Sequence, residues 1–508
     1  MRMSILALSC TLLVPIVGQA HVMRRAPADA GVFASAADLW APQVLRTLEG
    51  VPGFAMVVVV DDEVVLSRGY GQADIEHRLE STDETLYYIA SATKPFTALL
   101  ATMLDARGRI VLDDPLAAHL HGASLDAALR PQEVELRDLL THTVGIDNPP
   151  LVWRLAYTGD YDSELLWKLL EKSIPMDKAP LGTYEYTNVG YNIYGLIVAR
   201  ETGRPWQDLV QEEIFAPLGM ERTTASASRP RKRDWPIAGP YYGLLPDGWR
   251  RVATEKTDAT MHTAGGVFTT ARDLGRWLEM QINAGTLDGR QVVDPGLVRA
   301  THAPLVEVTN DRPPFGQTAS GLGWAHGGWR DRRVLFHGGG FPGYAALVSF
   351  MPEERIGVAV LVNETHLGDA LVGLATVWAY DWWLQVPEAE GAASGMLDEM
   401  VARRDKVRAG IAADIDKRSS RSWTLSRPLA DYVGRYANEL YGTVEILVEE
   451  GTLAVRQGNL RCRAEPFTKP DMIRVEMIDG RGTALAFKIG AAGVDGLELQ
   501  DIAYARLQ

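Results

Sequence analysis

The stretch Ser91-Ala92-Thr93-Lys94, followed at once by Pro95-Phe96-Thr97-Ala98-Leu99-Leu100, constrains this chain more than any other. It ties a hydroxyl and an amine to the head of an apolar helix. Residues at i and i+3 share a helix face, so Lys94 Nζ is expected within reach of Ser91 Oγ. Such a pair can make a serine nucleophilic without a histidine beside it. The helix N-terminus offers partial positive charge to a developing alkoxide. Pro95 is compatible with a first turn. The apolar pattern continues through Met103 and Leu104 and ends at Gly108, a residue type that suits a helix C-terminus.

The tetrad alone is weak, because average residue usage gives roughly one Ser-x-x-Lys by chance in a chain this long. Its bland alternative is a capped amphipathic helix with a solvated lysine. Two further elements weigh against that. Tyr184-Glu185-Tyr186-Thr187-Asn188 sits in a Gly-punctuated turn ahead of an apolar helix, Ile193 to Val198. The Tyr186 phenol near a lysine can act as base and acid, and the Asn188 amide can both donate to and accept from a substrate amide. Tyr436-Ala437-Asn438 repeats the pattern but falls in a separate C-terminal unit. The other element is Phe336-His337-Gly338-Gly339-Gly340 between two strand-like runs, where glycines allow the backbone close to a ligand. His326-Gly327-Gly328 competes with it, but its context reads as a hairpin turn.

With these elements in order, the chain resembles the serine β-lactamase and penicillin-binding superfamily. The class C-like branch, with its D-stereospecific peptidases, DD-carboxypeptidases and esterases, is the nearest. Gly69-Tyr70-Gly71-Gln72, Leu112-Asp113-Asp114-Pro115-Leu116, Leu140-Thr141-His142-Thr143, Pro217-Leu218-Gly219-Met220 and Ala264-Gly265-Gly266-Val267 add to the likeness, across roughly residues 40 to 385. The resemblance implies catalysis by Ser91, Lys94 and Tyr186 through an acyl-enzyme. It implies substrate binding by Asn188, His337, Gly338, Gly339 and Gly340, and an oxyanion hole from the N–H groups of Ser91 and Gly340. Many β-lactamases carry lysine where this chain has His337. A histidine is mostly neutral above about pH 6.5, which shifts the expectation toward a peptide-like amide, with D-residues among the options. A carboxylesterase or a class C-like β-lactamase is the near alternative, and a non-catalytic β-lactam or muropeptide receptor the distant one.

Other residues read as structure. His142 is expected to hold a loop, Arg229, Arg231, Lys232 and Arg233 to form a solvated run, and Cys462 to pack. Trp153, Tyr157 and Tyr161 fit either a substrate cleft or a subdomain core.

Met1-Arg2-Met3, the apolar run from Ile5 to Val17 and Gly18-Gln19-Ala20 read as a cleavable secretory signal over residues 1–20, hence an exported, periplasmic protein. Its removal leaves Cys462 as the single cysteine, with no intramolecular disulfide. The net charge of −14 argues against nucleic acid and anionic membrane partners. A small molecule or peptide is the expected partner, with no membrane span. No zinc pattern or phosphate loop is present, so neither metal nor cofactor is expected.

The expected fold class is α+β: an antiparallel sheet flanked by helices, with a helical subdomain, over residues 37–385. A polar, Ala-rich leader precedes it to about residue 36. A charged helical linker, 386–428, follows it. Short β-type runs from Leu429 then predict a small antiparallel barrel over 429–508, and Tyr432-Val433-Gly434-Arg435-Tyr436 resembles the opening of a lipocalin-like module.

Overall fold

The computed structural model describes residues 29–387, 389–491 and 493–507; the secretory signal read at 1–20 lies outside them. The first helix, α1 (Ala30–Leu48), begins inside the stretch read as a leader. The Asp29 side chain accepts from the N–H groups of Gly31 and Val32 and caps it. Phe33, Ala37, Ala41, Val44 and Leu48 then form its buried stripe. Their spacing of about one turn is the amphipathic signal that an Ala-rich composition disguised.

Strands β1 (Gly53–Val60) and β2 (Glu63–Asp74) form the hairpin expected around Asp61 and Asp62, and β3 (Leu79–Glu80) adds an edge. The next main helices are α2 (Lys94–Ala106), α3 (Val189–Thr202) and α4 (Ala271–Ile282). Strands β4 (Val306–Asn310), β5 (Gln317–Ser320), β6 (Ala325–Trp329), β7 (Arg332–Phe341), β8 (Tyr344–Met351) and β9 (Ile356–Val362) complete a nine-stranded sheet in the order β4-β5-β6-β7-β8-β9-β1-β2-β3. Sequential antiparallel pairing explains the order, except that the N-terminal hairpin closes onto β9.

β1 is apolar throughout because both of its faces are covered. Ala55, Val57 and Val59 belong to the core shared with Leu274, Trp277 and Leu278 of α4. Phe54, Met56 and Val58 belong to the opposite core, shared with α1 and with α5 (Gly368–Trp383). The two-residue period of a strand assigns alternate side chains to the two layers. Phe33 of α1 meets Trp378, Trp382 and Trp383 of α5 at ring-centroid distances of 5.5, 4.8 and 5.4 Å.

The charged linker is a 31-residue helix, α6 (Ala389–Ser419), longer than the sequence suggests. It is docked, not free: Met396, Leu397 and Met400 pack on the α1/α5 core, and Arg404 donates to the Thr47 carbonyl at 2.8 Å. Beyond it lies a nearly closed antiparallel barrel of nine strands. They are β10 (Gly434–Asn438), β11 (Gly442–Glu449), β12 (Thr452–Gln457), β13 (Leu460–Arg463), β14 (Glu465–Pro466), β15 (Met472–Val475), β16 (Thr483–Ile489), β17 (Val494–Leu499) and β18 (Ile502–Arg506). Tyr432, Tyr436, Val444, Ile446, Leu453, Leu485 and Leu497 fill its interior. β17 (Val-Asp-Gly-Leu-Glu-Leu) escaped the sequence reading because an Asp-Gly pair normally punctuates strands. Among the described residues no helix is long and apolar enough to cross a membrane, and no cluster of acidic, His or Cys side chains could hold a metal.

Candidate active site

Ser91 lies on one 3₁₀ turn, Ala90–Thr93, and α2 begins at Lys94, so the helix starts later than the tetrad implied. The spacing still works: Lys94 Nζ stands 3.1 Å from Ser91 Oγ. Ala90, just before the serine, holds φ at 44°. That left-handed conformation costs a residue with a Cβ about 1–2 kcal/mol, and it aims the turn into the cleft between β7 and the helical side of the fold.

β7 closes on this turn. A Cβ on Gly339 would fall 1.9 Å from the Ile89 carbonyl oxygen and 2.9 Å from the Ala92 nitrogen. At Gly338 and Gly340 the nearest atoms would be 3.7 and 3.9 Å away. Only the middle glycine is therefore sterically obligatory. Gly339→Ala is expected to destabilise the protein by about 1–3 kcal/mol through overpacking and to displace the Ser91 turn. Gly338→Ala should unfold close to the wild-type temperature. Thermal unfolding of the two variants side by side checks the contrast.

Lys94 is fully buried. Its amine has three oxygen partners: Ser91 Oγ, Asn188 Oδ1 at 2.8 Å and the Ala264 carbonyl at 2.8 Å. No carboxylate is among them. Burial, with a further push from the Arg312 charge, holds its pKa well below the ordinary lysine range. The amine stands 4.9 Å from the Tyr186 ring centroid and 5.3 Å from that of Tyr191. Asn188, at the head of α3, does not cap its helix with its side chain; the carboxamide is turned to Lys94 instead.

Tyr186 leaves 36 % of its surface open to the cleft. The protein crowded around its phenol nevertheless raises the pKa to about 12, with a contact to Ser91 working the other way. The phenol is protonated at neutral pH. His142 packs its ring against Tyr186, centroids 4.5 Å apart, and accepts the Thr187 N–H at 3.3 Å. Burial and the Lys94 charge push it down to about 3. It is a neutral brace for Tyr186, in keeping with the structural role read from sequence. His337 is buried and neutral too, held well below its ordinary value by burial and by Lys94. Its Nδ1 donates to the Gly338 carbonyl at 2.7 Å. Arg312 lines the same recess as His337 and Tyr186.

The competing motifs lie elsewhere. His326 is on β6, opposite Leu335, and the hairpin turn falls at Arg330-Asp331, not at the His-Gly-Gly triplet. A two-residue turn with both φ positive matches the strand twist there. Tyr436 is in the barrel core, donating to the Tyr432 carbonyl at 2.7 Å. Arg229 and Arg231 bond Gln211 and Glu255 at the surface.

On the other side of Tyr186 opens a cleft of about 510 Å³. One wall carries Trp153, Tyr157 and Asn188, so these two aromatic residues serve both cleft and packing; Tyr161 instead bonds the Ala259 carbonyl at 2.6 Å. The facing wall comes from the barrel, through Tyr441, Gln500 and Tyr504. The barrel is fastened there by Arg154 Nε to the Leu440 carbonyl (3.1 Å), by Asn459 N–H to the Thr158 carbonyl (2.9 Å), and by Asp479, which accepts from Thr254 N–H at 2.8 Å.

Lys256 also escaped the sequence reading, for want of any motif around it. Its buried amine donates to the Ala156 carbonyl at 2.8 Å and lies 4.9 Å from the Phe341 ring and 5.3 Å from Tyr88. Burial pushes its pKa down to about 7. The unfolded chain, with an ordinary lysine near pKa 10.4, then binds more protons between those values, so this group makes stability rise with pH across that window. Urea midpoints at pH 6.5 and 9.5 should rise more for the wild type than for Lys256→Met.

The family model described as Beta-lactamase matches residues 42–380. The curated Protein flp of Staphylococcus aureus (strain MW2) is 24 % identical over 316 residues. That alignment takes in 62 % of this chain and 60 % of the relative, so less than two thirds of the relative's length is spanned. Among solved structures, the octameric penicillin-binding protein homologue from Pyrococcus abyssi aligns with a TM-score of 0.57 at 22 % identity, covering 94 % of this chain and 100 % of that one. The D-amino acid amidase from Ochrobactrum anthropi SV3 aligns with a TM-score of 0.52 at 22 % identity, covering 64 % of this chain and 92 % of that one. These two likenesses establish the fold. The family match covers well over half of the sequence, and inside it the serine turn, the Tyr-x-Asn segment and β7 meet; the chain belongs to the beta-lactamase family.

Proposed function

We propose that this protein is an exported hydrolase that cleaves a peptide-like amide through an acyl-enzyme on Ser91. The observation that carries the reading is the buried, carboxylate-free Lys94 amine 3.1 Å from Ser91 Oγ. Burial lowers the Lys94 pKa and so favours its neutral amine, whose lone pair can take the serine proton. Ser91 Oγ then attacks the carbonyl carbon, and the oxyanion is received by the N–H groups of Ser91 and Gly340. Tyr186, still protonated, gives its proton to the leaving nitrogen. In deacylation water returns a proton to Tyr186 and its hydroxyl attacks the acyl carbon, while Lys94 gives the proton back to Ser91. Asn188 and the segment from His337 to Gly340 orient the substrate.

The neutral His337 favours an amide over a dedicated β-lactam substrate, since among the described residues it leaves Arg312 as the one permanent cation lining that recess. The likeness to a D-amino acid amidase favours the same choice. Intact mass over time with a reactive acyl donor tests the reading. An adduct that forms on Ser91 and decays with product release is expected. A permanent adduct would point to a receptor, and no adduct would remove the catalytic reading.

A further inference from the structure

The cleft between the helical side of the catalytic part and the barrel carries one charge. Asp147 lines it, and among the described residues no Lys, Arg or His does. Five aromatic residues line the same cleft: Trp153, Tyr157, Tyr186, Tyr441 and Tyr504. Asp147 is set on a rigid base. It ends a two-residue strand, Ile146–Asp147, paired with Ile174–Pro175. The next residue, Asn148, is fully buried and donates to the Leu169 carbonyl at 2.7 Å and to Ser173 Oγ at 2.9 Å. The carboxylate accepts the Asn148 N–H at 2.8 Å and has no cationic partner lining the cleft. Arg154, next to Trp153 in the chain, is paired with Asp160 at 2.8 Å. Burial, and then the Asp147 charge, raise the pKa of Tyr441 on the barrel.

An anion in a cleft lined by aromatic residues suits one kind of guest. A protonated amine gains from the carboxylate and from the ring quadrupoles together, while its apolar side chain fills the rest of the space. The volume of about 510 Å³ suits a single amino acid residue with room for water. Tyr186 and Asn188 line this same cleft, and Asn188 Oδ1 accepts from Lys94 at 2.8 Å, so the cleft adjoins the serine and lysine cluster.

We propose that this cleft is an aminoacyl subsite: the free amine of the substrate's acyl residue pairs with Asp147, and that residue's side chain packs between Trp153 and Tyr157 on one wall and Tyr441 and Tyr504 of the barrel on the other. The assignment rests on the hydrolase reading for its link to chemistry. It makes the enzyme selective for an unblocked amino-terminal residue with a bulky apolar side chain, and it makes the barrel part of the specificity machinery.

The test separates binding from turnover. Full-length Ser91→Ala protein is titrated at pH 6 with phenylalaninamide, D and L, and with hydrocinnamamide, which lacks only the amine; at that pH the amine is charged. Tryptophan fluorescence or calorimetry reads the affinities. At least one enantiomer of the amine-bearing amide is expected to bind about tenfold tighter than hydrocinnamamide. Asp147→Asn, which keeps the acceptor for Asn148 N–H, should bring that ratio to about one. Asp147→Ser serves as a second variant if the first does not fold. Tyr504→Ala should weaken the two ligands together. Equal binding of the two amides, or a ratio that survives loss of the carboxylate, overturns the proposal. An intact ratio with no acyl adduct on wild-type Ser91 would remove the hydrolase reading instead and leave the subsite standing.

Discussion

Replacing Ser91 with alanine is expected to lower turnover of every amide or ester substrate by on the order of 10⁴-fold or more. The argument is local. Among the described residues, Ser91 carries the one hydroxyl bonded to the Lys94 amine, and it sits on a turn held in a left-handed bend at Ala90 and clamped by Gly339. Alanine removes the nucleophile and nothing that supports it. Lys94 keeps Asn188 Oδ1 and the Ala264 carbonyl, so the variant should fold with a melting temperature near that of the wild type. Steady-state kinetics beside thermal unfolding checks both halves of the expectation. Hydrolysis that persists in the folded variant would assign the chemistry to another group.

Lys94→Met should be nearly as damaging, by about 10²–10⁴-fold, the range for loss of a positioned base. It carries a second signature. If neutral Lys94 takes the serine proton, wild-type kcat/KM falls as pH drops through the lowered lysine pKa and climbs above it, far below the ordinary lysine range. In Lys94→Met that acidic limb disappears, since the group that titrates is gone. The variant also leaves Asn188 Oδ1 and the Ala264 oxygen facing a buried methyl group, a desolvation cost of about 1–3 kcal/mol for each acceptor. A pH–rate profile that keeps the same limb in Lys94→Met would transfer the role of base elsewhere.

The parts of the site that were legible in the sequence are those whose chemistry is set by short spacing. Ser91 and Lys94 are one turn apart, and Tyr186 and Asn188 lie on one tight segment, so local geometry alone brings each pair together. The preference for His337 over His326 was also readable. One sits in the Gly-rich end of a central strand, the other in β6 beside a hairpin turn, which falls at Arg330-Asp331, three residues after Gly327-Gly328. The order of catalytic sheet, long helix and barrel followed from periodicity, while α1 was hidden by its alanines. What could not be read were the residues that act only by folding back from far away. Asp147 and Tyr504 have no motif around them, Tyr441 was legible only as part of the barrel's opening, and Lys256 is notable solely because its amine is shut away from water. Nothing in linear spacing separates these from ordinary surface and core positions. Asp29 is the exception: a capping residue ahead of Phe33, Ala37 and Ala41 was a visible start signal for α1.

The barrel supplies one wall of the cleft, through Tyr441, Gln500 and Tyr504, while Asp147, Trp153 and Tyr157 come from the stretch of chain that also carries Ser91. A change confined to the barrel can therefore reshape one wall of the cleft while every atom around Ser91 stays in place.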